Sequence, residues 1–252
     1  MLRSGALLLV GLLLLSGCTG LNLPTAGDTT GPGQRAPDYL RPQPYTSILV
    51  ELDFVDGSEP EASAVSLLRQ RFESVTGKPV EVVRTGGVEG KGASHRYTIA
   101  EIRDLEEQHR SQHSAGSRAV LYVLYLDGGY VEDTNDAKTL GVTYRGSAIA
   151  MFKANLRFAS KANALDLGKP TLEAVEKSVL VHELGHALGL VNKGTPMMTP
   201  REDRDHPGHS SNKDSVMYWA VETNFIGSIL GQNPPTDFDA NDRADLRAVR
   251  ER

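Results

Sequence analysis

The chain is poor in residues that would support several common classes of protein. It has one cysteine, Cys18, in 252 residues, so no disulfide can form within the chain and no thiolate can bind a metal in its body. The formal net charge is −5 and no basic run occurs, which gives no support for nucleic-acid binding. The strongly apolar run near the N-terminus is shorter than the roughly 20 residues that a bilayer requires.

The N-terminus has the features of a secretory signal. Arg3 precedes an apolar stretch that ends in small residues. The run Leu15-Ser16-Gly17-Cys18 resembles the bacterial lipobox, which implies removal of residues 1–17 and acylation of Cys18, for example with palmitate. Thr19 follows the cysteine, and by resemblance to bacterial lipoprotein sorting this favours the outer membrane, on its periplasmic or its outer face. An ordinary signal peptide with an incidental cysteine is the alternative.

Residues 18–45 are rich in proline and glycine and have almost no aliphatic periodicity. Such a segment cannot bury enough apolar surface to order itself, so we expect residues 18–45 to be a flexible tether. The body would then span residues 46–252, which is long enough for one domain with a core of its own.

The first half of the body predicts a mostly parallel sheet. Residues 47–55 and 79–84 have the aliphatic content of strands, and apolar residues recur at helical spacing over 59–75. This β-α-β order indicates a right-handed crossover between parallel strands. The nearly all-apolar run 119–126 is expected to be a central strand buried on both faces. Residues 132–138 form an acidic loop, for which solvated carboxylates and a calcium site are the alternatives.

The sequence His182-Glu183-Leu184-Gly185-His186 carries the pattern H-E-x-x-H within an apolar run. On a helix over residues 170–190, His182 and His186 stand one turn apart on one face, with Cβ atoms about 5–6 Å apart. Two imidazoles so placed can bind one zinc ion, and Glu183 can act as a general base on its water. A buried amphipathic helix with histidines at the edge of the core is the alternative. Gly189 can supply the left-handed conformation that ends such a helix.

Residues 178–219 resemble the metzincins, zinc endopeptidases whose signature is H-E-x-x-H-x-x-G-x-x-H followed by a Met-turn. The third-ligand position of that signature holds Asn192, a poor zinc ligand. In matrixin-like metzincins the third histidine often lies eight residues before the Met-turn methionine, and His209 and Met217 have this separation. The resemblance therefore implies an enlarged loop over residues 190–208. It implies the zinc ligands His182, His186 and His209, the catalytic base Glu183 and the Met-turn residue Met217. His206 and Asn192 are rivals for the third ligand.

The resemblance also implies a fold. The expected class is α/β, in the sense of α+β, with a metzincin-like mixed sheet, an active-site helix and a small C-terminal subdomain ending in a helix over 237–250. Residues 141–152 stand in the place of the metzincin edge strand, and the backbone of 147–151 is expected to align an extended peptide. Residues 218–224 are expected to form the wall of a substrate pocket.

The sequence thus predicts a lipid-anchored zinc endopeptidase of the bacterial cell envelope. Its cofactor would be Zn²⁺, its substrate a protein or peptide, and a membrane would hold it through the N-terminal lipid. One alternative is a surface lipoprotein that keeps the fold to hold zinc or bind proteins without proteolysis, although the intact Glu183 argues against it. Another is a similar zinc enzyme acting on a non-peptide amide.

Overall fold

The computed structural model describes residues 28–161 and 168–252; its named strands all precede Lys153, and the named elements from Lys153 onward are helices. In chain order the elements are α1 (Ala36–Leu40), β1 (Ser47–Val55), α2 (Ala62–Thr76), β2 (Val80–Val88), β3 (Arg96–Tyr97), α3 (Ile99–His109), β4 (Arg118–Leu126), β5 (Gly129–Tyr130), β6 (Gly141–Arg145), β7 (Ala148–Phe152), α4 (Lys153–Ala159), α5 (Leu172–Ala187), a 3-10 helix (Trp219–Glu222), α6 (Ile226–Leu230) and α7 (Ala240–Arg250). Within these ranges, none of the helices has the length and apolar character needed to span a bilayer.

A five-stranded sheet forms the centre of the fold, in the order β2-β1-β4-β7-β6. β1 pairs in parallel with β2 and β4, and β4 pairs in parallel with β7. β6 runs antiparallel to β7. The short strands β3 and β5 form a second, parallel pair. The predicted α/β class with a mixed, mostly parallel sheet is therefore confirmed.

β4 is buried on both faces, as its apolar composition predicts. Every residue from Ala119 to Leu126 is buried, and successive side chains point to opposite faces. Alternate side chains starting at Leu121 join a large core with α1, α2, α5 and α7, whereas those starting at Tyr122 join a smaller core with α3. Helices thus cover both faces of the sheet and leave α5 packed against its larger core.

The edge of the described sheet beyond β7 is β6, not β7. All five residues of β7 are buried, and the strand pairs with β4 on one side and with β6 on the other. The prediction that the backbone of 147–151 aligns a substrate is therefore wrong, because the ladder of β7 has partners on both sides. The polar residues Thr143 and Arg145 on β6, against the wholly apolar run of β7, agree with this placement.

Residues 28–45 are part of the folded body, which corrects the tether predicted over this stretch. Pro37 lies in the first turn of α1, where a proline costs the helix no hydrogen bond. The helix buries Tyr39 and Leu40 in the larger core, and the Tyr39 hydroxyl donates to the carbonyl of Val120 at 3.1 Å. A few well-placed apolar residues thus order a segment whose overall composition is polar.

The first described residues are tied to the turn between β6 and β7. The Ser147 hydroxyl donates to the Asp28 carboxylate at 2.6 Å, and the Gly146 N–H donates to the carbonyl of Thr30 at 3.0 Å. The predicted signal peptide and Cys18 fall in residues 1–27, which lie outside the described residues.

Candidate metal centre

Helix α5 presents both histidines of the H-E-x-x-H pattern. The Thr171 side chain caps the helix by accepting a hydrogen bond from the N–H of Ala174 at 3.1 Å. His182 and His186 lie one turn apart, are 0% and 6% exposed, and bring their Nε2 atoms within 3.0 Å of each other. The helix therefore delivers two ring nitrogens to one point, as the spacing predicts.

The chain turns back at Gly189, three residues after the second histidine. Its φ of +74° lies in the left-handed region that favours glycine. Thr195 stabilises the turn: its hydroxyl donates to the Leu188 carbonyl at 2.7 Å, and its N–H donates to the Gly189 carbonyl at 2.9 Å. A β-carbon at position 189 would stand 2.8 Å from the Thr195 nitrogen, so the close approach also requires glycine.

The loop over 190–208 returns a third imidazole, that of His209, to the helix. Segments 201–203 and 209–211 lie side by side, joined by two backbone hydrogen bonds of 2.8 Å each. The His209 ring then lies nearly parallel to the His182 ring, with centroids 5.3 Å apart and planes 14° apart. The structure therefore brings together the three histidines that the resemblance implied.

The rival third ligands point elsewhere. His206 stacks on Trp219, with ring centroids 4.2 Å apart, and its Nδ1 is 3.0 Å from an Asp203 carboxylate oxygen. Asn192 has a φ of +68°, and its amide donates to Glu202 at 3.2 Å. Neither residue belongs to the group whose donor atoms converge.

Glu222 is a fourth donor at this point, and sequence reasoning missed it. Its carboxylate oxygens lie 3.1, 3.5 and 3.8 Å from the Nε2 atoms of His209, His182 and His186, respectively. One donor atom from each of the four residues lies within 4.8 Å of the others. The sequence offered one signal, since Glu222 is the only acidic residue between Met217 and Asp237. It ends the 3-10 helix, inside the segment predicted to form a pocket wall.

The chain around Met217 packs against helix α5 and holds the ring of His182 in place. Met217 is fully buried, and a β-carbon at Gly185 would overlap its sulfur, so the methionine lies directly against α5. The Val216 carbonyl accepts a hydrogen bond from Nδ1 of His182 at 2.6 Å. This bond places the proton of the neutral ring on Nδ1 and leaves Nε2 free to bind a cation.

Glu183 points toward β6 and keeps one oxygen unpaired. Its Oε2 is 2.8 Å from the Thr143 hydroxyl, whereas Oε1 is buried and has no hydrogen-bond partner among the described residues. A β-carbon at Gly141 would come within 3.1 Å of Oε1, so the glycine on β6 makes room for this carboxyl. One oxygen is held and the other is available for proton transfer.

Burial and mutual contact shift the ionisation of these groups. Burial, together with His182 and His209, lowers the pKa of His186 well below its ordinary value, which keeps this imidazole neutral. Burial opposes ionisation of Glu222, but hydrogen bonds with His182 and His209 hold its pKa well below the ordinary value. Burial and the Glu222 charge raise the pKa of Glu183 well above its ordinary value. A divalent cation among these groups would lower the pKa of Glu183 again.

Zinc fits this donor set. Imidazole nitrogens and carboxylate oxygens are ligands that zinc accepts in tetrahedral sites. Nδ1 of His186 and Nδ1 of His209 are buried without a hydrogen-bond partner in the described chain, so protein hydrogen bonds to these atoms do not explain where the rings point. Ligand atoms of a tetrahedral zinc site stand about 3.3–3.5 Å apart. The His182–His186 separation of 3.0 Å and the 3.1–3.8 Å between Glu222 and the three histidines are close to that range, and all four donor atoms lie within 4.8 Å of one another.

The acidic loop over 132–138 is held by protein donors. The Asp133 side chain is fully buried, and its carboxylate accepts hydrogen bonds from the backbone of Tyr130 and Thr139 and from the side chains of Arg96 and Asn155. These bonds account for both oxygens of Asp133. Asp133 is thus neither solvated nor free for calcium, and it stabilises the loop.

Comparison with known proteins adds to the fold assignment. No protein-family model and no curated protein matches this sequence. The structure of archaemetzincin from Methanopyrus kandleri aligns over 82% of this chain and 97% of its own, at a TM-score of 0.52 and 16% identity. The two share a fold. Structures of a zinc-dependent peptidase from Methanocorpusculum labreanum and of metalloproteinase-II from Bacteroides fragilis also match, each at a TM-score of 0.45, with 15% and 17% identity. They align over 78% and 84% of this chain and over 99% and 56% of their own chains.

Proposed function

We propose that this protein is a zinc-dependent endopeptidase. The observation that carries the proposal is the convergence of His182, His186 and His209 beside Glu183, whose Oε1 has no hydrogen-bond partner among the described residues. Three imidazoles with an adjacent carboxylate form the arrangement of hydrolytic zinc sites, in which the metal keeps a position for water. The fold shared with an archaemetzincin agrees with the metzincin resemblance of residues 178–219.

The reaction would use the chain's own groups in two roles. His182, His186 and His209 would hold zinc, which when bound supplies a Lewis acid and lowers the pKa of water toward about 7. Oε1 of Glu183 would accept the proton as water attacks the carbonyl carbon, and would then pass that proton to the leaving amine. Thr143 would keep Oε2 in place, so that the acceptor oxygen does not rotate away.

The outer side of β6, where the described sheet has no further strand, is the proposed place for the peptide. Gly141–Arg145 pairs with β7 on one side, and an extended peptide can add to the other side of such a strand. The Thr143 hydroxyl on β6 contacts Glu183. A peptide paired with β6 would therefore pass next to the general base.

Substitution of Glu183 tests this function. The full chain should cleave members of a peptide library, and a chelator should stop the cleavage. Glu183→Ala should retain zinc by metal analysis and lose turnover by about 10²–10⁴-fold, the usual contribution of a general base. Glu89→Ala, at an exposed position, is the matched control and should behave like wild type. Hydrolysis retained in Glu183→Ala would refute the assigned role.

One observation favours the non-proteolytic alternative. Structural zinc sites have four protein ligands, whereas catalytic sites have three, and Glu222 offers a fourth donor here. Zinc binding without hydrolysis of any library peptide would support that alternative.

We also propose that the protein is anchored to the bacterial envelope through lipid on Cys18. The lipobox-like run Leu15-Ser16-Gly17-Cys18 supports this, and several acyl chains would give stable attachment. Expression in a bacterium supplied with labelled palmitate should label the wild type in the outer-membrane fraction but not Cys18→Ser. Equal labelling of both would contradict the anchor.

A further inference from the structure

We infer that Glu222 is a displaceable ligand that fills the fourth position of the metal centre and must leave before a substrate can react. The inference rests on the proposed function. We call segments 138–140 and 222–224, which hold Glu222 in place, the Glu222 latch.

The Glu222 carboxylate lies where a fourth zinc ligand would stand. Oε1 of Glu222 is 3.1 Å from Nε2 of His209, and Oε2 is 3.5 Å from Nε2 of His182 and 3.8 Å from Nε2 of His186. These separations are close to the roughly 3.3–3.5 Å expected between ligand atoms of one tetrahedral zinc ion. Three histidines already provide the protein ligands of a catalytic site. The carboxylate therefore takes the position that water and the scissile carbonyl need.

Glu222 is the most exposed of the four donors at the metal centre. The Glu222 side chain is 26% exposed, whereas those of His182, His186 and His209 are 0%, 7% and 12% exposed. Among the four donors Glu222 is thus the one that can move outward without disturbing the core. A substrate arriving from solvent would meet it first.

A small set of hydrogen bonds between two chain segments holds Glu222 in place. The Leu140 N–H donates to the Glu222 carbonyl at 2.8 Å, and the Asn224 N–H donates to the Lys138 carbonyl at 3.1 Å. The Asn224 side chain closes the latch, because its Oδ1 accepts from the Lys138 N–H at 2.6 Å and its amide donates to the Asp136 carbonyl at 3.1 Å. Each of these hydrogen bonds is individually weak, because water competes for the same donors and acceptors. The latch can therefore open and close during a reaction cycle without unfolding of the core.

The latch adjoins the strand proposed to bind substrate. Leu140 directly precedes β6 (Gly141–Arg145). A peptide that pairs with β6 would push against the latch at Leu140, where the backbone of Glu222 is hydrogen-bonded. Substrate binding and release of Glu222 would then be linked.

The test measures access to the fourth position directly. The full chain is loaded with Co²⁺ in place of zinc, and azide is the probe, because an anion that binds the metal changes the visible absorption of Co²⁺. We expect azide to leave the wild-type spectrum nearly unchanged and to shift the spectrum of Glu222→Gln. Glu89→Gln, a change of the same size at an exposed position, should behave like wild type. Asn224→Ala keeps every donor atom and should make the cobalt more accessible to azide than in wild type.

Zinc affinity and turnover complete the test. Loss of Glu222 should raise the zinc Kd by about 10–100-fold, at least the effect of losing a partner that only orients a ligand, whereas Asn224→Ala should change the Kd little. Asn224→Ala should raise kcat for peptide hydrolysis, because the latch opens more often.

The outcomes separate the latch from the proposed function. If wild type and Glu222→Gln have the same azide response and the same zinc Kd, the latch is overturned. The proposed peptidase function would then still stand. Peptide hydrolysis slower in Asn224→Ala than in wild type would also overturn it. If no variant cleaves any peptide, the proposed endopeptidase fails, and the azide response still decides whether Glu222 occupies the fourth position.

Discussion

The position of His209 beside the other two histidines depends on a buried ion-pair cluster. Replacing Arg201 should show this. The Arg201 guanidinium is 2.8 Å from an Asp242 carboxylate oxygen and 2.6 Å from one of Asp245, and all three side chains are at least 90% buried. The Arg201 carbonyl accepts a hydrogen bond from the N–H of Ser211 at 2.8 Å. The same residue thus joins helix α7 to the segment that carries the third imidazole.

Arg201→Ala would leave two carboxylates buried without their cation. Breaking a buried pair in this way costs about 3–5 kcal/mol, which is a large part of the about 5–15 kcal/mol that stabilises a typical domain. At about 2–4 °C per kcal/mol for a chain of this size, Tm should fall by about 6–20 °C. The zinc Kd should also rise, because segment 209–211 loses its neighbour.

The assay is thermal unfolding of the zinc-free and zinc-loaded full chain, followed by zinc titration. Arg204→Ala is the matched control, since it removes the same side chain from an exposed position in the same loop and should cost no more than about 0.5 kcal/mol. A Tm for Arg201→Ala within about 2 °C of that control, under a scale of 2–4 °C per kcal/mol, would refute the argument that this cluster holds the loop.

Three further substitutions test separate features of the site and fold. Gly185→Ala places a β-carbon on the Met217 sulfur. Overpacking should cost about 1–3 kcal/mol, of which the helix propensity of alanine offsets about 1 kcal/mol, so urea unfolding should show a net loss of up to about 2 kcal/mol; a net gain in stability would contradict the close contact. Thr143→Val should lower kcat about 10–100-fold with KM and zinc content unchanged, because Glu183 loses a hydrogen bond worth about 1.5–3 kcal/mol; an effect on KM alone would argue against positioning. The side-chain hydrogen bond from Lys91 lowers the pKa of Glu101 from 4.5 to about 2. The difference in free energy of unfolding between wild type and Glu101→Gln should therefore be constant above pH 4.5 and disappear as the pH falls toward 2, and denaturation at several pH values would check this.

The sequence predicted the centre where local spacing determines geometry. His182 and His186 follow from the helical repeat, which places residues four apart on one face. His209 could be found only through its separation from Met217, because the loop before it has no periodic pattern. Glu222 could not be predicted in this way, since its approach depends on backbone pairing with Leu140, a contact between residues far apart in sequence.

The two errors in the fold have different origins. The tether was inferred from the composition of residues 18–45, but Tyr39 and Leu40 are enough to bury α1 once the rest of the core exists. The strand at 147–151 was placed at the edge although its run is wholly apolar, and the composition of β6, not that of β7, is typical of an exposed strand. The tether prediction fails because composition does not report tertiary burial, whereas the edge prediction followed the place of the strand in the metzincin resemblance and not its own composition.

Because the folded body begins by Asp28, the proposed lipid anchor on Cys18 would keep the folded body close to the bilayer. From Cys18 to Asp28 the chain advances ten residues, a contour of at most about 35 Å. A lipid on Cys18 would therefore hold Asp28 within that distance of the bilayer, and polypeptides that come close to the membrane would be the substrates that the proposed endopeptidase meets.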